Sequence, residues 1–295
     1  MTGAVCVERI ADGLHRTSGA DVDLAFRIQG VGPAVVLLHG TSANHAVWEP
    51  VAERLASTAT VIALDQRGHG RSDKPARGYA GPDFAGDVVS VLDALGIDRA
   101  VVAGHSLGGR NAWLAGALHP DRVAAVLSVD YTPYVEASVL DDLALRVAGG
   151  HRGFESVEQI RGYLRERYPR ILPAAVDRRA RWGYEKRADG LWWPLAAPDA
   201  MSQLIAGFRT PWDAEFRAVQ APMVGIRGGR SRIVSSAAWA AAIAARPADR
   251  WVDVDEADHY IPEEFPDLVA DELDRLIAES LPSPSSVPPP WKGTL

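Results

Sequence analysis

The strongest constraint on this chain is one pentapeptide, Gly104-His105-Ser106-Leu107-Gly108, together with what flanks it. Upstream lies the short apolar run 100–103 (AVVA), and downstream residues 108–118 carry a helical pattern. A serine between glycines at a strand-to-helix turn gains meaning from that setting. The chain doubles back so tightly there that neighbouring Cβ atoms would clash, which is why glycine is required. The turn exposes the Ser106 Oγ. It also leaves the Leu107 N–H at a helix N-terminus, where partial positive charge favours an oxyanion. A chance Gly-rich turn would need neither flank.

The same run-then-helix pattern recurs along the chain. Apolar runs fall at 34–38 (AVVLL), 60–64 (TVIAL), 123–129 (VAAVLSV), 223–227 (MVGIR) and 251–254 (WVDV). Short runs without strict alternation suit strands buried on both faces of a parallel sheet. Helical patterns at 47–56, 84–95, 237–245 and 267–279 lie between them. The expected fold class is α/β, a mostly parallel twisted sheet flanked by helices. The alternation fails between about 132 and 211, where no buried strand is evident and arginines and aromatics crowd together. This stretch reads as a mostly helical cap inserted between two sheet strands. The expected organisation is 1–131 for the first part of the core, 132–211 for the cap, 212–280 for the second part, and a Pro/Ser-rich tail at 281–295. The tail has too little apolar surface to order itself.

Composition narrows the function classes. A net charge of −7 argues against a broad nucleic-acid-binding surface. The single cysteine, Cys6, excludes an intramolecular disulfide and a cysteine metal cluster. Residues 1–17 are charged and contain no apolar signal region, and no run approaches the roughly 18 apolar residues of a membrane span. The expectation is a cytoplasmic protein that needs no metal or organic cofactor. Its partners would be a small, anionic substrate and at most a second copy of the chain, with neither nucleic acid nor a membrane.

Three further positions complete the chemistry. His39-Gly40-Thr41 follows the run at 34–38 and offers the Thr41 N–H as a second oxyanion donor. His259, in Ala257-Asp258-His259-Tyr260, follows the last run; a hydroxyl nucleophile needs a base near neutral pKa, which only histidine has unperturbed. His105 sits inside the turn, with its side chain expected to point away. His69, in Asp65-Gln66-Arg67-Gly68-His69-Gly70-Arg71-Ser72, reads as part of a structural turn. His15, His45, His119 and His151 lack a strand-end position. The acid that should orient His259 is less plain. Where a carboxylate is usual, after the run at 223–227, the chain has Arg232. A cation there would repel an imidazolium. Asp130, one strand earlier, is the nearest alternative, since a triad is defined by roles and not by sequence position. Asp130 could instead cap the turn before Thr132-Pro133. Asp258 adjoins His259 and is poorly placed to face it.

With these residues the chain resembles the α/β-hydrolase superfamily over roughly residues 20–280. The blocks Val61–Pro75, Gly104–Asn111, Asp130-Tyr131-Thr132-Pro133-Tyr134-Val135-Glu136 and Ala257–Tyr260 are similar to the hydrolases of 2-(acetamidomethylene)succinate in vitamin B6 degradation. The resemblance implies Ser106 as nucleophile, His259 as base, Asp130 as acid, and an oxyanion hole from Thr41 and Leu107. It also implies that Arg146, Arg167, Tyr168 and Arg179 meet the substrate's two carboxylates. The physical case is parallel: arginine offers a planar, bidentate fork to a carboxylate in a dry pocket. The reaction implied is cleavage of a C–N amide bond in a small enamide dicarboxylate, giving acetate, ammonia, CO2 and succinic semialdehyde. Alternatives are a carboxylesterase, a C–C bond hydrolase of a ring-fission product, or a non-catalytic ligand receptor on the same fold. Trp182, Trp192 and Trp193 make the cap bulkier than the resemblance leads one to expect.

Overall fold

All six apolar runs form strands, and they share one sheet. The computed structural model describes residues 6–18 and 21–281. The expected Pro/Ser-rich tail, apart from Leu281, lies outside the described residues. The strands of the main sheet are β1 (Cys6–Arg9), β2 (His15–Ser18), β3 (Ala25–Gln29), β4 (Ala34–Leu38), β5 (Thr60–Leu64), β6 (Ala100–His105), β7 (Val123–Val129), β10 (Met223–Gly228) and β11 (Arg250–Val254). A separate hairpin pairs β8 (Tyr184–Lys186) with β9 (Trp192–Pro194). The helices are α1 (Glu49–Leu55), α2 (Gly81–Ala94), α3 (Leu107–Leu118), α4 (Ala137–Ala148), α5 (Val157–Arg167), α6 (Pro173–Trp182), α7 (Pro198–Gly207), α8 (Asp213–Ala218), α9 (Ser236–Ala245), α10 (Ile261–Glu264) and α11 (Pro266–Ser280).

The main sheet runs β1-β2-β3-β5-β4-β6-β7-β10-β11. From β5 to β11 every pairing is parallel, whereas β1, β2 and β3 join as an antiparallel ribbon through Phe26 opposite Leu64. That ribbon is absent from the sequence reading, because its short strands are half polar and carry no continuous apolar run.

Side chains alternate faces along a strand, and the core divides accordingly. Val36, Leu38, Ile62 and Val102 pack beneath α2 and α3 with Phe84, Val88 and Trp113. Val35, Leu37, Val61 and Val101 pack on the other face with Leu55 of α1 and Leu273 and Ile277 of α11. Each such aliphatic side chain contributes about 1.5–3 kcal/mol by leaving water. This two-sided burial is why the runs show no polar alternation.

Between β7 and β10 stand α4 to α8 and the hairpin. Phe154, Ile160, Leu164, Ile171 and Val176 form a core of their own there, apart from both sheet faces. The β8–β9 hairpin adds two short strands to this helical stretch, neither of them buried along its length. Its arms are three residues each, too short for any periodicity to register. No helix among the described residues is long and apolar enough to cross a membrane.

Parallel strands bring their C-terminal ends to one edge. There the chain order reverses, since β5 lies on one side of β4 and β6 on the other. Such a switch point is where open α/β sheets hold their ligands.

Candidate active site

Ser106 links the end of β6 to the start of α3, and its backbone is strained at φ 54°, ψ −116°. Few residues with a Cβ occupy that region without support. The support is local: the Ser106 N–H donates to the Val129 carbonyl at 2.9 Å, and its carbonyl accepts the Arg110 N–H at 3.1 Å. The flanking glycines are obligatory. A Cβ on Gly104 would lie 1.9 Å from the Gly108 carbonyl oxygen, and one on Gly108 would lie 2.1 Å from that of Leu38.

His259 sits in the loop after β11, with its ring Nδ1 2.6 Å from Asp130 Oδ2. Asp130 directly follows β7 and is fully buried. Its Oδ1 accepts the Gly228 N–H at 2.9 Å, and its Oδ2 also accepts the Ser231 hydroxyl at 2.5 Å. Three donors thus compensate the cost of burying a carboxylate. The end of β10 and the loop after it, where a carboxylate is usual, supply donors to Asp130 in its place. Arg232 in that loop is exposed and forms no ion pair among the described residues. Asp258 is committed elsewhere, accepting the backbone N–H of His259 at 2.8 Å.

His105 departs from expectation. Its ring packs 4.6 Å from that of His259, and its Nε2 donates to the His259 carbonyl at 2.7 Å. The His105 side chain therefore points toward His259. Burial, then the neighbouring His259, holds the His105 pKa well below the ordinary value. It stays neutral and braces His259 by packing and one hydrogen bond.

Ser106, His259, Gly40 and Thr41 border a cavity of about 30 Å³, and Arg146, Arg167, Tyr168, Arg179 and Tyr260 complete its wall. Neither the Thr41 N–H nor the Leu107 N–H donates a backbone hydrogen bond among the described residues. Through Ser42, Ala43, Val147, Arg167, Tyr168 and Arg179 the cavity adjoins a chamber of about 830 Å³ beneath α4 to α7.

The three arginines differ. Arg179 on α6 is buried and forks onto Glu263 of α10, with contacts of 2.8, 3.0 and 2.5 Å. It also lies over the rings of Tyr168 and Tyr260, at 4.4 and 5.3 Å. Arg167 donates to the Tyr168 hydroxyl at 3.1 Å and to the Arg146 carbonyl at 2.8 Å. Arg146 is exposed and reaches the Tyr260 hydroxyl at 3.4 Å. Neither Arg146 nor Arg167 has a carboxylate partner among the described residues. Glu263 is the member that sequence reasoning missed. Nothing local marks it, because its partner is 84 positions away.

Residues 33–169 match the family model described as alpha/beta hydrolase fold. The chain is 41% identical over 247 residues to 2-(acetamidomethylene)succinate hydrolase of Mesorhizobium japonicum, covering 84% of this chain and 88% of that protein. The crystal structure of an E-2-(acetamidomethylene)succinate hydrolase superposes with a TM-score of 0.86 at 38% identity, over 93% of this chain and 99% of that one. A thermophilic esterase from Thermogutta terrifontis shares the fold, with a TM-score of 0.70 at 22% identity over 88% and 94% of the two chains.

Proposed function

This chain belongs to the alpha/beta hydrolase family, and from that premise we propose that it is a serine hydrolase cleaving the C–N amide bond of a small enamide dicarboxylate such as (E)-2-(acetamidomethylene)succinate. The observation that carries the reading is the meeting of Arg146, Arg167 and Arg179 at the cavity that Ser106 and His259 border. Glu263 balances one of the three cations. Two remain, matching a dianion. A neutral ester would gain nothing from them.

In the proposed reaction His259 takes the Ser106 proton as Oγ attacks the acyl carbonyl. The oxyanion accepts from the Thr41 and Leu107 N–H groups; one such donor is worth about 3–4 kcal/mol. Asp130 holds the His259 tautomer and stabilises the imidazolium. His259 then protonates the departing enamine nitrogen, and water releases acetate from Ser106. The free enamine tautomerises to an imine and hydrolyses to ammonia and a formylsuccinate. That product carries a carboxyl group β to an aldehyde, so it loses CO2 and leaves succinic semialdehyde. The chemistry needs no metal or organic cofactor, and the partner is a small anion, with neither nucleic acid nor a membrane engaged.

The test follows loss of the enamide's ultraviolet absorbance together with ammonia release, for the wild-type protein and Ser106→Ala. Turnover in the wild type, falling by about four or more orders of magnitude in the variant, is the expected result. Turnover of neutral p-nitrophenyl esters in preference to the dicarboxylate would replace this reading with a carboxylesterase.

A further inference from the structure

The loop joining β5 to α2 opens with Asp65-Gln66-Arg67-Gly68-His69-Gly70-Arg71-Ser72, which the reaction described above does not use. It closes on itself through the Asp65 carboxylate, which accepts the Arg71 N–H at 2.8 Å, and through the Ser72 hydroxyl bound to the Asp65 carbonyl. Gly70 is required there, because a Cβ would lie 2.1 Å from Asp65 Oδ2. None of this closure spends the Gln66 side chain or the His69 Nε2.

Both reach across to the segment that carries Thr41. The Gln66 N–H donates to His39 Nε2 at 3.0 Å, and the Gln66 side-chain amide donates to the His39 carbonyl at 2.6 Å. The Ser42 N–H donates to His69 Nε2 at 3.1 Å. Asp65 Oδ1 accepts the His45 N–H at 2.7 Å. The residues on either side of Thr41 are therefore tied down while its own N–H is left unspent. Ser42 has a left-handed backbone at φ 59°, a conformation serine keeps only when held from outside. The tautomers agree with this bonding. His39 Nδ1 is 2.8 Å from the Gly40 carbonyl and His69 Nδ1 is 3.0 Å from the Arg67 carbonyl, so each Nδ1 donates and each Nε2 accepts.

The tie continues to the second oxyanion donor. Gln66 Oε1 accepts the Asn111 side-chain amide at 2.6 Å, and Asn111 lies on α3, the helix that begins at Leu107. His39, Gln66, His69 and Asn111 are all essentially without solvent exposure. Hydrogen bonds sealed from water in this way fix geometry more firmly than exposed ones do.

We propose that Gln66 and His69 are positioning residues of the oxyanion hole: they hold the 39–45 segment so that the Thr41 N–H stands at a set distance from the Leu107 N–H. The inference rests on the reading of Ser106 as an acyl-transfer nucleophile. It predicts a loss confined to the tetrahedral state, since ground-state binding relies on the arginines.

The experiment compares wild type, His69→Leu, His69→Gln and Gln66→Leu. Leucine fills the space and removes the hydrogen-bonding groups, while glutamine returns an acceptor oxygen toward Ser42. Each protein is assayed for kcat and KM on (E)-2-(acetamidomethylene)succinate. Each is also titrated with a carboxylate-bearing alkylboronic acid, which mimics the tetrahedral state, and with succinate, which mimics the ground state. His69→Leu and Gln66→Leu should lose about 10- to 100-fold in kcat and in boronate affinity together. KM and succinate affinity should stay within about twofold, and His69→Gln should recover part of the loss. Folded leucine variants with wild-type boronate affinity would overturn the proposal, and so would variants whose succinate affinity falls as far as their kcat. If one variant fails to fold, the other decides. Should Ser106→Ala keep wild-type turnover, the nucleophile reading fails and takes this inference with it.

Discussion

The sheet and the cap solve different problems with different material. Around β4, β6 and β7 every strand residue is buried. The groups at those strand ends are each fixed by hydrogen bonds: Ser106 through Val129, Asp130 through Gly228 and Ser231, and His39 through Gln66. The cap has a smaller core from Phe154 to Tyr184, and the outer faces of α5 and α6 carry exposed ion pairs such as Arg161 with Asp177. Its ties to the sheet layer include one buried pair, Arg179 with Glu263, and exposed or long contacts such as Arg71 with Glu185 at 3.5 Å. In the proposed reaction the bond-making groups tolerate little displacement, and they stand on the deeply buried layer. Charge recognition tolerates more, and it can stand on a layer with a smaller core.

If the division is real, the largest losses follow from small changes on the sheet side. Asp130→Asn keeps volume and burial but replaces an acceptor oxygen with a donor amide. The His259 tautomer is then no longer enforced, and kcat should fall by about 10⁴. The fold should survive, since the Gly228 N–H can still bond to the remaining oxygen. Steady-state kinetics beside a thermal melt would check both. Near-wild-type turnover would mean that another carboxylate orients the base and that the strand ends are less exacting than described.

On the cap side the effect should be intermediate and should depend on the substrate. Arg167→Leu removes a cation with no carboxylate partner of its own. A charge-assisted hydrogen bond is worth about 1.5–3 kcal/mol, so KM for the dicarboxylate should rise by about 10- to 100-fold. Turnover of a neutral ester, which needs only the sheet-side groups, should stay nearly unchanged. Arg167→Lys should fall between the two, keeping the charge and losing the fork. A fall in kcat on both substrates would make Arg167 part of the reacting geometry and would break the comparison.

The same division decides what could be read from sequence. The central strands were legible because burial on both faces imposes an unbroken apolar run, and the strand-end positions of Ser106 and His259 were legible because few residue types suit them. The antiparallel ribbon β1 to β3 left no such mark, nor did the three-residue arms of the hairpin. The direction of His105 was not legible because its partner, the His259 carbonyl, is 154 positions away. Arginine content marked the cap, but the grouping of Arg146, Arg167 and Arg179 entered through resemblance; spacing in sequence does not bring three helical segments to one cavity. Glu263 was invisible for the same reason. Its role exists only once α10 meets α6.

The smallest effect is the sharpest control on that grouping. Arg161 lies on α5, six positions before Arg167, and in a sequence the two look alike. In the structure Arg161 reaches Asp177 at 2.7 Å and Glu158 at 3.3 Å on the outer face of the cap. Those partners satisfy its charge, and the side chain lines neither the cavity nor the chamber. Exposed pairs of this kind add little to stability, because water and salt screen them and two long side chains must be immobilised. Arg161→Ala should therefore leave kcat and KM for the dicarboxylate within about twofold of wild type, as surface changes away from a site generally do. A rise in KM approaching that of Arg167→Leu would show that the cap acts on the substrate through its overall positive field. Recognition would then be spread across the layer, and the distinction drawn between cavity-facing and outward-facing arginines would fail.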